Sequence, residues 1–369
     1  MKFKIQREQL LKPLQMISGV VERRQTLPIL SNVLIVVDSH LLSLTATDLE
    51  VELSTRAVLS EPAEVGQVTV SARKLMDICR SAPDKALLEL STNDKKVIIK
   101  SGRSRFSLAI LPVEDFPLIE EEKSIFEFSL IQQDLLKLLN ATHFSMGQQD
   151  VRGYLNGVLL LADQDIIRVV ASDGHRLAMS THNDNENDTA PESQSTIMPR
   201  KAVIELVRLL ENVDEKISIA LTANHIRLVT KGFTFISKLI DESTPNYDAI
   251  IPDEGDKVIT IDRDVLKAAL ARVSILSNEQ HRGIRICLSP QLLQLISNNP
   301  DQEEAEEELD IEYAGSALEI GFNVDYLIDI LGVVPQGDVR LFFADPSSSL
   351  LIKSLHNEQA LYVVMPMKL

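Results

Sequence analysis

The chain has little of several things that would settle a function early. It has two cysteines in 369 residues, Cys79 and Cys287. Two thiols so far apart give neither a disulfide framework nor a zinc-ligand cluster, and they suit a reducing cytoplasm. Positive charge is short: 37 Lys and Arg stand against 54 Asp and Glu, a net charge of −17. A chain that bound nucleic acid by bulk charge would be basic, because affinity comes mostly from neutralised phosphates. Any DNA function must therefore use a local basic surface on an acidic body, and must not need tight binding. No run approaches the roughly 18 apolar residues of a membrane span. MKFKIQREQ at the N-terminus lacks the apolar core of a signal peptide. No Walker loop, HExxH, GxSxG or dinucleotide fingerprint occurs. The expectation is a soluble cytoplasmic chain with no cofactor, no metal and no membrane partner.

What the chain has is repetition. REQLLKPLQMIS at 7–18 returns as QQDLLKLLNATH at 132–143 and as DRDVLKAALARV at 262–273. VTVSARKLMDICRSAP at 68–83 returns as STIMPRKAVIELVRLL at 195–210 and, weaker, as IGFNVDYLIDILGVVP at 320–335. This spacing puts Leu11, Leu136 and Leu266 in one place, and Lys74, Lys201 and Asp325 in another. A period of about 125 residues is the size of a domain, not of a solenoid unit. Three domains are expected, at 1–122, 123–252 and 253–369. Proline-bearing polar stretches at 111–123 and 243–257 read as exposed linkers, and 181–195 as a polar loop.

Inside the first repeat, β-type runs fall at 3–5, 33–37, 41–47, 51–59, 87–90, 97–100 and 105–111. Leu10, Leu11, Leu14 and Ile17 follow helical spacing, and a second helix over 73–80 stops before Pro83. Two helices and about eight strands per repeat, with short turns, predict an α+β fold: antiparallel sheets with helices over one face.

Asp173-Gly174-His175-Arg176 is the most enzyme-like tetrad. It reads as a turn leaving the strand 168–172, with Gly174 supplying backbone freedom. A hydrolase using Asp173 and His175 is the enzymatic alternative, resting on one His without a partner motif. The acidic run 301–308 lacks the glycine turn and alternating ligands of a calcium loop. It reads as a solvated face, or as a docking patch for basic residues on another subunit, with Arg103 and Arg105 beside Phe106 and Leu108 as partners. Arg73, Lys74 and Arg80 in one repeat, and Arg200, Lys201 and Arg208 in the next, make two cationic segments that suggest a shared surface. The chain ends in ALYVVMPMKL, whose methionines are adaptable packing residues.

LPILSN at 27–32, TDLE at 47–50, SGRSRFSL at 101–108, DVRGYLNG at 150–157, SDGHRLA at 172–178, ILSNE at 275–279, NNPDQEEAEE at 298–307, GFNV at 321–324 and YVVMPM at 362–367 together carry a resemblance. Over essentially its full length the chain resembles the bacterial DNA polymerase III beta subunit, the replicative sliding clamp, in its gammaproteobacterial form. The resemblance implies the DNA clamp fold, with three domains forming half of a six-domain ring closed by a head-to-tail homodimer. Twelve lining helices at about 10 Å spacing give a perimeter of about 120 Å and a hole of about 28 Å, room for a duplex and a water layer. The implied function is non-catalytic: a processivity factor that encircles duplex DNA without reading its sequence. The competing reading is an acidic peptide-binding scaffold that does not encircle DNA.

The resemblance also assigns residues. Arg24, Arg73, Lys74, Arg80, Gln149, Tyr154, Arg200 and Lys201 match positions that meet DNA; Gly153 departs, where relatives often have Tyr. In the implied dimer interface Phe106 and Leu108 pack on Ile275 and Leu276, while Lys74, Lys96, Arg103 and Arg105 face Asp301, Glu303, Glu304 and Glu307. A partner groove is implied at Leu155, Ser172, Gly174, His175, Arg176, Leu177, Pro245, Ile250, Asn323, Tyr326, Ser349, Val363, Met365, Pro366 and Met367. Its ligands would be QLxLF-like peptides of the DNA polymerase III alpha subunit, the clamp loader, other DNA polymerases, mismatch-repair proteins and DNA ligase. Ser172 stands where Thr is common, and Ala249 where some relatives have Arg.

Overall fold

The computed structural model describes residues 1–21, 27–93, 95–120, 122–163, 166–183, 193–357 and 359–368. Among these, one order of elements occurs three times: strand, helix, four strands, helix, three strands. The helices are α1 (Arg7–Ile17), α2 (Ala72–Ser81), α3 (Gln132–Thr142), α4 (Arg200–Leu209), α5 (Arg263–Val273) and α6 (Val324–Val333). Side-chain caps start three of them. Ser71 Oγ accepts from Lys74 N at 3.4 Å, Asp262 Oδ1 from Asp264 N and Val265 N at 2.9 Å, and Asn323 Oδ1 from Asp325 N at 2.9 Å.

The helices correct the repeat register by one residue. Leu10, Leu135 and Leu266 each occupy the fourth helical position and are buried. Leu11 and Leu136, aligned with Leu266 by sequence spacing, are only half-buried. Adjacent leucines lie about 100° apart around a helix, so only one of each pair can face the core. Likewise Arg73, not Lys74, matches Lys201 and Asp325 as the second residue of its helix, and Arg80 and Arg208 are both ninth.

The chain forms two compact units. The first comprises Met1–Gln133 and Arg208–Leu239. It holds a 12-stranded antiparallel sheet, which includes one strand that alternation missed, Gly66–Ser71. In this sheet Val51–Val58, the third strand of its four-strand run, pairs with Phe233–Lys238, and Leu53 lies opposite Phe235. Ser104–Leu111 pairs along its length with Lys96–Ser101, but with Gly66–Ser71 only at Leu111 and Ile110. Among the described residues the other edge of 104–109 is unpaired in the sheet.

The second unit comprises Asp134–Val207 and Ile240–Leu369 and holds an eight-stranded and a four-stranded sheet. Arg176–Asn183 pairs with Ala360–Val364, and Ala178 lies opposite Tyr362. This is the same joint as Leu53 opposite Phe235, one repeat later. In the four-stranded sheet Glu304–Asp310, among the described residues, bonds only to Leu292–Asn298 and leaves its outer edge open. Ile284, Ile286, Leu293 and Leu295 alternate into a core closed by Leu266 and Leu270 of α5 and Leu327 and Ile330 of α6, each worth about 2 kcal/mol of apolar burial.

The two stretches expected to be exposed linkers each carry one buried aromatic. Phe116 packs on Ile29, Leu30 and Leu34. Tyr247 joins the cluster of Leu177 and Val363. Of the expected loop 181–195, the ends belong to the strands Arg176–Asn183 and Gln194–Pro199, and 184–192 lie outside the described residues. Among the described residues no helix is long and apolar enough to cross a membrane.

Candidate functional site

The strand Ile166–Ser172 must reverse into Arg176–Asn183 within a few residues, and the tetrad builds that turn. Gly174 takes φ +86°, which side-chain-bearing residues avoid. Asp173 Oδ1 accepts from His175 N at 2.9 Å and Arg176 N at 3.0 Å. Ser172 Oγ donates to Arg176 O at 2.7 Å and accepts from Gly174 N at 3.0 Å. The Arg176 guanidinium, nearly buried, donates to Asp173 at 3.0 Å, Asp329 at 2.7 Å and the Phe144 carbonyl at 2.8 Å. It also lies 4.5 Å from the Tyr326 ring centroid and 5.2 Å from that of Phe144. Asp173 is thus engaged by the turn and by Arg176 rather than poised as a base on His175.

The C-terminal segment is pinned beside this turn. Met365 N donates to His175 O and Met367 N to Gly321 O, both at 2.9 Å. Leu177 and Val363, opposite each other in the sheet, share an apolar floor with Leu159, Tyr247 and Leu351, on which Tyr154, Ile251 and Leu361 pack. Burial pushes the Tyr247 phenol up to about 12, with Tyr154 adding to the effect. His175, Met365 and Ile250 are exposed at the rim; Pro245, Asn323, Tyr326, Ser349, Pro366 and Met367 are half-buried; Leu155 and Ser172 are buried. Ala249 is exposed, next to Ile250. Sequence reasoning missed Tyr247, Ile251, Phe144 and Asp329. For Tyr247 the signal was present, as an aromatic within an otherwise polar stretch.

The loop before Gly157–Ala162 meets the same turn. Arg152 donates to Asp150 at 2.9 and 3.0 Å, and this pairing holds the Asp150 carboxyl down at about 2. A Cβ on Gly174 would lie 2.6 Å from Arg152 Nη2. A Cβ on Gly153 would lie 2.1 Å from Glu242 Oε1, while Glu242 Oε2 accepts from Tyr154 N at 2.9 Å. The departure at Gly153 is therefore coupled to Glu242, which occupies the space a side chain would need.

The cationic positions differ in what engages them. Arg73, Lys74 and Arg80 are exposed on α2, with Asp77 3.9 Å from Arg73. Arg200 is half-buried and donates to Met146 O at 3.2 Å. Arg208 donates to Gln15 O at 3.3 Å and to Met16 O. Lys201 and Tyr154 are half-buried, and Gln149 is exposed with φ +55°. Arg24 lies outside the described residues.

Two open sheet edges carry opposite charge. Beside Ser104–Leu111 stand the exposed Lys96, Arg103 and Arg105, with Phe106 half-buried and Leu108 buried. Beside Glu304–Asp310 stand Asp301, Glu303 and Glu304, all exposed. Glu307 on that strand already accepts from Arg272 at 3.1 Å, which lowers its carboxyl. Ile275, 76% exposed, and the half-buried Leu276 follow the end of α5. An isoleucine so exposed beside an open edge marks an interaction surface. Among the described residues no group of three or more acidic, His or Cys side chains could hold a metal.

Comparison with known proteins identifies the family. Models for the N-terminal, central and C-terminal domains of the DNA polymerase III beta subunit match residues 1–120, 129–246 and 248–368 in order. The chain is 52% identical to the beta sliding clamp of Pseudomonas aeruginosa and 46% identical to that of Escherichia coli, each across the whole of both chains. The crystal structure of the DNA polymerase III subunit beta from Pseudomonas aeruginosa matches it with a TM-score of 0.97 at 51% identity, again over all of both chains. The chain belongs to the DNA polymerase III beta subunit family, the beta sliding clamps of bacterial replication.

Proposed function

We propose that this replicative sliding clamp works as a non-catalytic cytoplasmic ring of two copies joined head to tail, with three domains each, at 1–122, 123–252 and 253–369. One observation carries the reading. The last strand of a repeat's closing run pairs twice with a strand of the repeat before it, at Leu53–Phe235 and at Ala178–Tyr362. A third such joint would need the open edge of Glu304–Asp310 and the open edge of Ser104–Leu111, which sits in the first repeat of another copy. A heterologous contact of this kind closes into a ring when its rotation permits.

The chemistry of the two edges supports the joint. Arg103 and Arg105 would face the acidic strand at Glu304, Glu306 and Glu308, and Phe106 and Leu108 would cover Ile275 and Leu276. Carrying the Leu53–Phe235 register across sets Phe106 opposite Ala305, Arg105 opposite Glu306 and Ser107 opposite Glu304. Inside the ring Arg73, Lys74, Lys201, Gln149 and Tyr154 would touch phosphates loosely, so the net charge of −17 does not oppose function. Enclosure rather than affinity keeps the protein on DNA. The floor of Leu177 and Val363, with its methionine rim, would take extended QLxLF-like peptides of polymerases, the clamp loader and repair proteins.

Topology is the test. Loaded on a closed circular duplex, the protein should stay bound through a high-salt wash and leave when the circle is cut. Equal retention on linear and circular DNA would reject encirclement in favour of a peptide-binding scaffold.

A further inference from the structure

We infer that Arg80 is an interface residue, capping the C-terminal end of α5 in the second copy. The inference rests on the head-to-tail reading above, and adds to it a contact that the open strand edges do not themselves contain.

Helix C-termini leave carbonyls without intrahelical partners, and guanidinium groups satisfy them well. The last turn of α1 has no basic residue of its own. Its carbonyls at Gln15 and Met16 are met instead by Arg208, the ninth residue of α4. Ser18 Oγ completes that helix end by donating to Gln15 O at 2.7 Å.

The end of α5 shares the serine closure of α1, although there Arg272 O also accepts from Ser274 N and Arg282 donates to Ser274 O at 3.0 Å. Ala271 and Arg272 occupy the ninth and tenth positions, as Gln15 and Met16 do in α1. Ser274 Oγ donates to Ala271 O at 2.9 Å, repeating the Ser18 contact. The side chain of Arg272 is held by Glu307. Arg80, ninth in α2 as Arg208 is in α4, is exposed, and its side chain has no hydrogen bond or ion pair among the described residues.

The remaining pair follows the same logic in reverse. The ninth residue of α6 is Gly332, which has no side chain to offer. The end of α3 carries its own closure, with Thr142 Oγ1 donating to Leu138 O at 2.8 Å and the His143 ring 2.9 Å from Leu139 O. An arginine at the ninth position thus goes with a serine-capped helix end, and its absence goes with a self-capped one. Pairing Glu304–Asp310 with Ser104–Leu111 would set Arg80 beside the end of α5 as the Val51–Val58 joint sets Arg208 beside the end of α1. Arg80 would then reach Ala271 O and Arg272 O of its neighbour.

The test is dimer dissociation without DNA, followed by mass photometry or sedimentation over a dilution series. Arg80→Ala should weaken the dimer by at least about tenfold, the scale of a lost charge-assisted hydrogen bond. Arg80→Lys should recover part of that loss, and Arg73→Ala, about two turns back toward the start of α2, should leave dissociation within about twofold. Arg80→Ala matching the wild type, or Arg73→Ala weakening the dimer as much, would overturn the capping role while leaving the ring intact. A wild-type chain monomeric at every concentration would instead reject the head-to-tail reading itself.

Discussion

Arg176 and Asp329 stand 153 residues apart in the chain and meet at 2.7 Å. The pair joins the turn at 172–176 to α6, and the same guanidinium holds Phe144 O and stacks on Tyr326. Each charge-assisted bond is worth about 1.5–3 kcal/mol and the stacking about 0.5–2, with incomplete additivity. Arg176→Ala should therefore lower unfolding free energy by about 2–4 kcal/mol, read from urea denaturation. It should also weaken capture of a QLxLF peptide, because Met365 hangs from the same turn through His175 O. Arg176→Lys should rescue little, since a single ammonium cannot serve Asp173, Asp329 and the Phe144 carbonyl together. A wild-type urea midpoint for Arg176→Ala would show the clamp to be idle.

Much of this was legible in the sequence, and the failures have physical causes. Repetition gave the order of elements, because each copy must bury the same apolar positions. It misplaced Leu11 and Leu136, because two adjacent leucines leave the helical phase open until a core chooses one. Proline and charge marked 111–123 and 243–257 as exposed, but composition averages over a stretch and hides a single anchored ring such as Phe116 or Tyr247. Gly153 and Glu242 are 89 positions apart, so their coupling has no local signature. Arg208 looked like part of a shared cationic surface, and only the fold shows it on the carbonyls of Gln15 and Met16.

Stability should fall on the alkaline side. Burial raises the Cys79 thiol from an ordinary 9.0 to about 12, and the Tyr247 and Tyr362 phenols from 10.0 to about 12. For each group the folded state favours the protonated form. Its contribution is complete below the unfolded value and is lost as pH rises toward the folded one. The unfolding free energy should thus hold up to about pH 9 and decline toward pH 12, by at most about 1.4 kcal/mol per pH unit for each group. Tyr362→Phe should make the decline shallower between about pH 10 and 12. Identical slopes for Tyr362→Phe and wild type would show that the phenol titrates alike in both states.

The proposed ring makes a sharper demand, because it fixes a register and not only a neighbour. With Ser107 opposite Glu304, cysteines at both positions would have Cα atoms about 4.5–5.5 Å apart, within disulfide reach. Both residues are exposed, so the substitutions disturb little of the core. Cys287 is only half-buried and should be changed to serine, whereas Cys79 is buried and can stay. Ser107→Cys with Glu304→Cys should then oxidise to a covalent dimer, and with both interfaces bridged the product is a closed circle of two chains. A slip of one residue would turn one cysteine to the opposite face of its sheet and block the bond, since side chains alternate along a strand. Locked before loading, such a circle should fail to mount on closed circular DNA; locked afterwards, it should resist release by dilution until the DNA is cut. Failure to crosslink in a chain that is dimeric by mass would reject this register while leaving the dimer, and crosslinked circles that load as readily as open ones would mean the DNA does not pass through the ring.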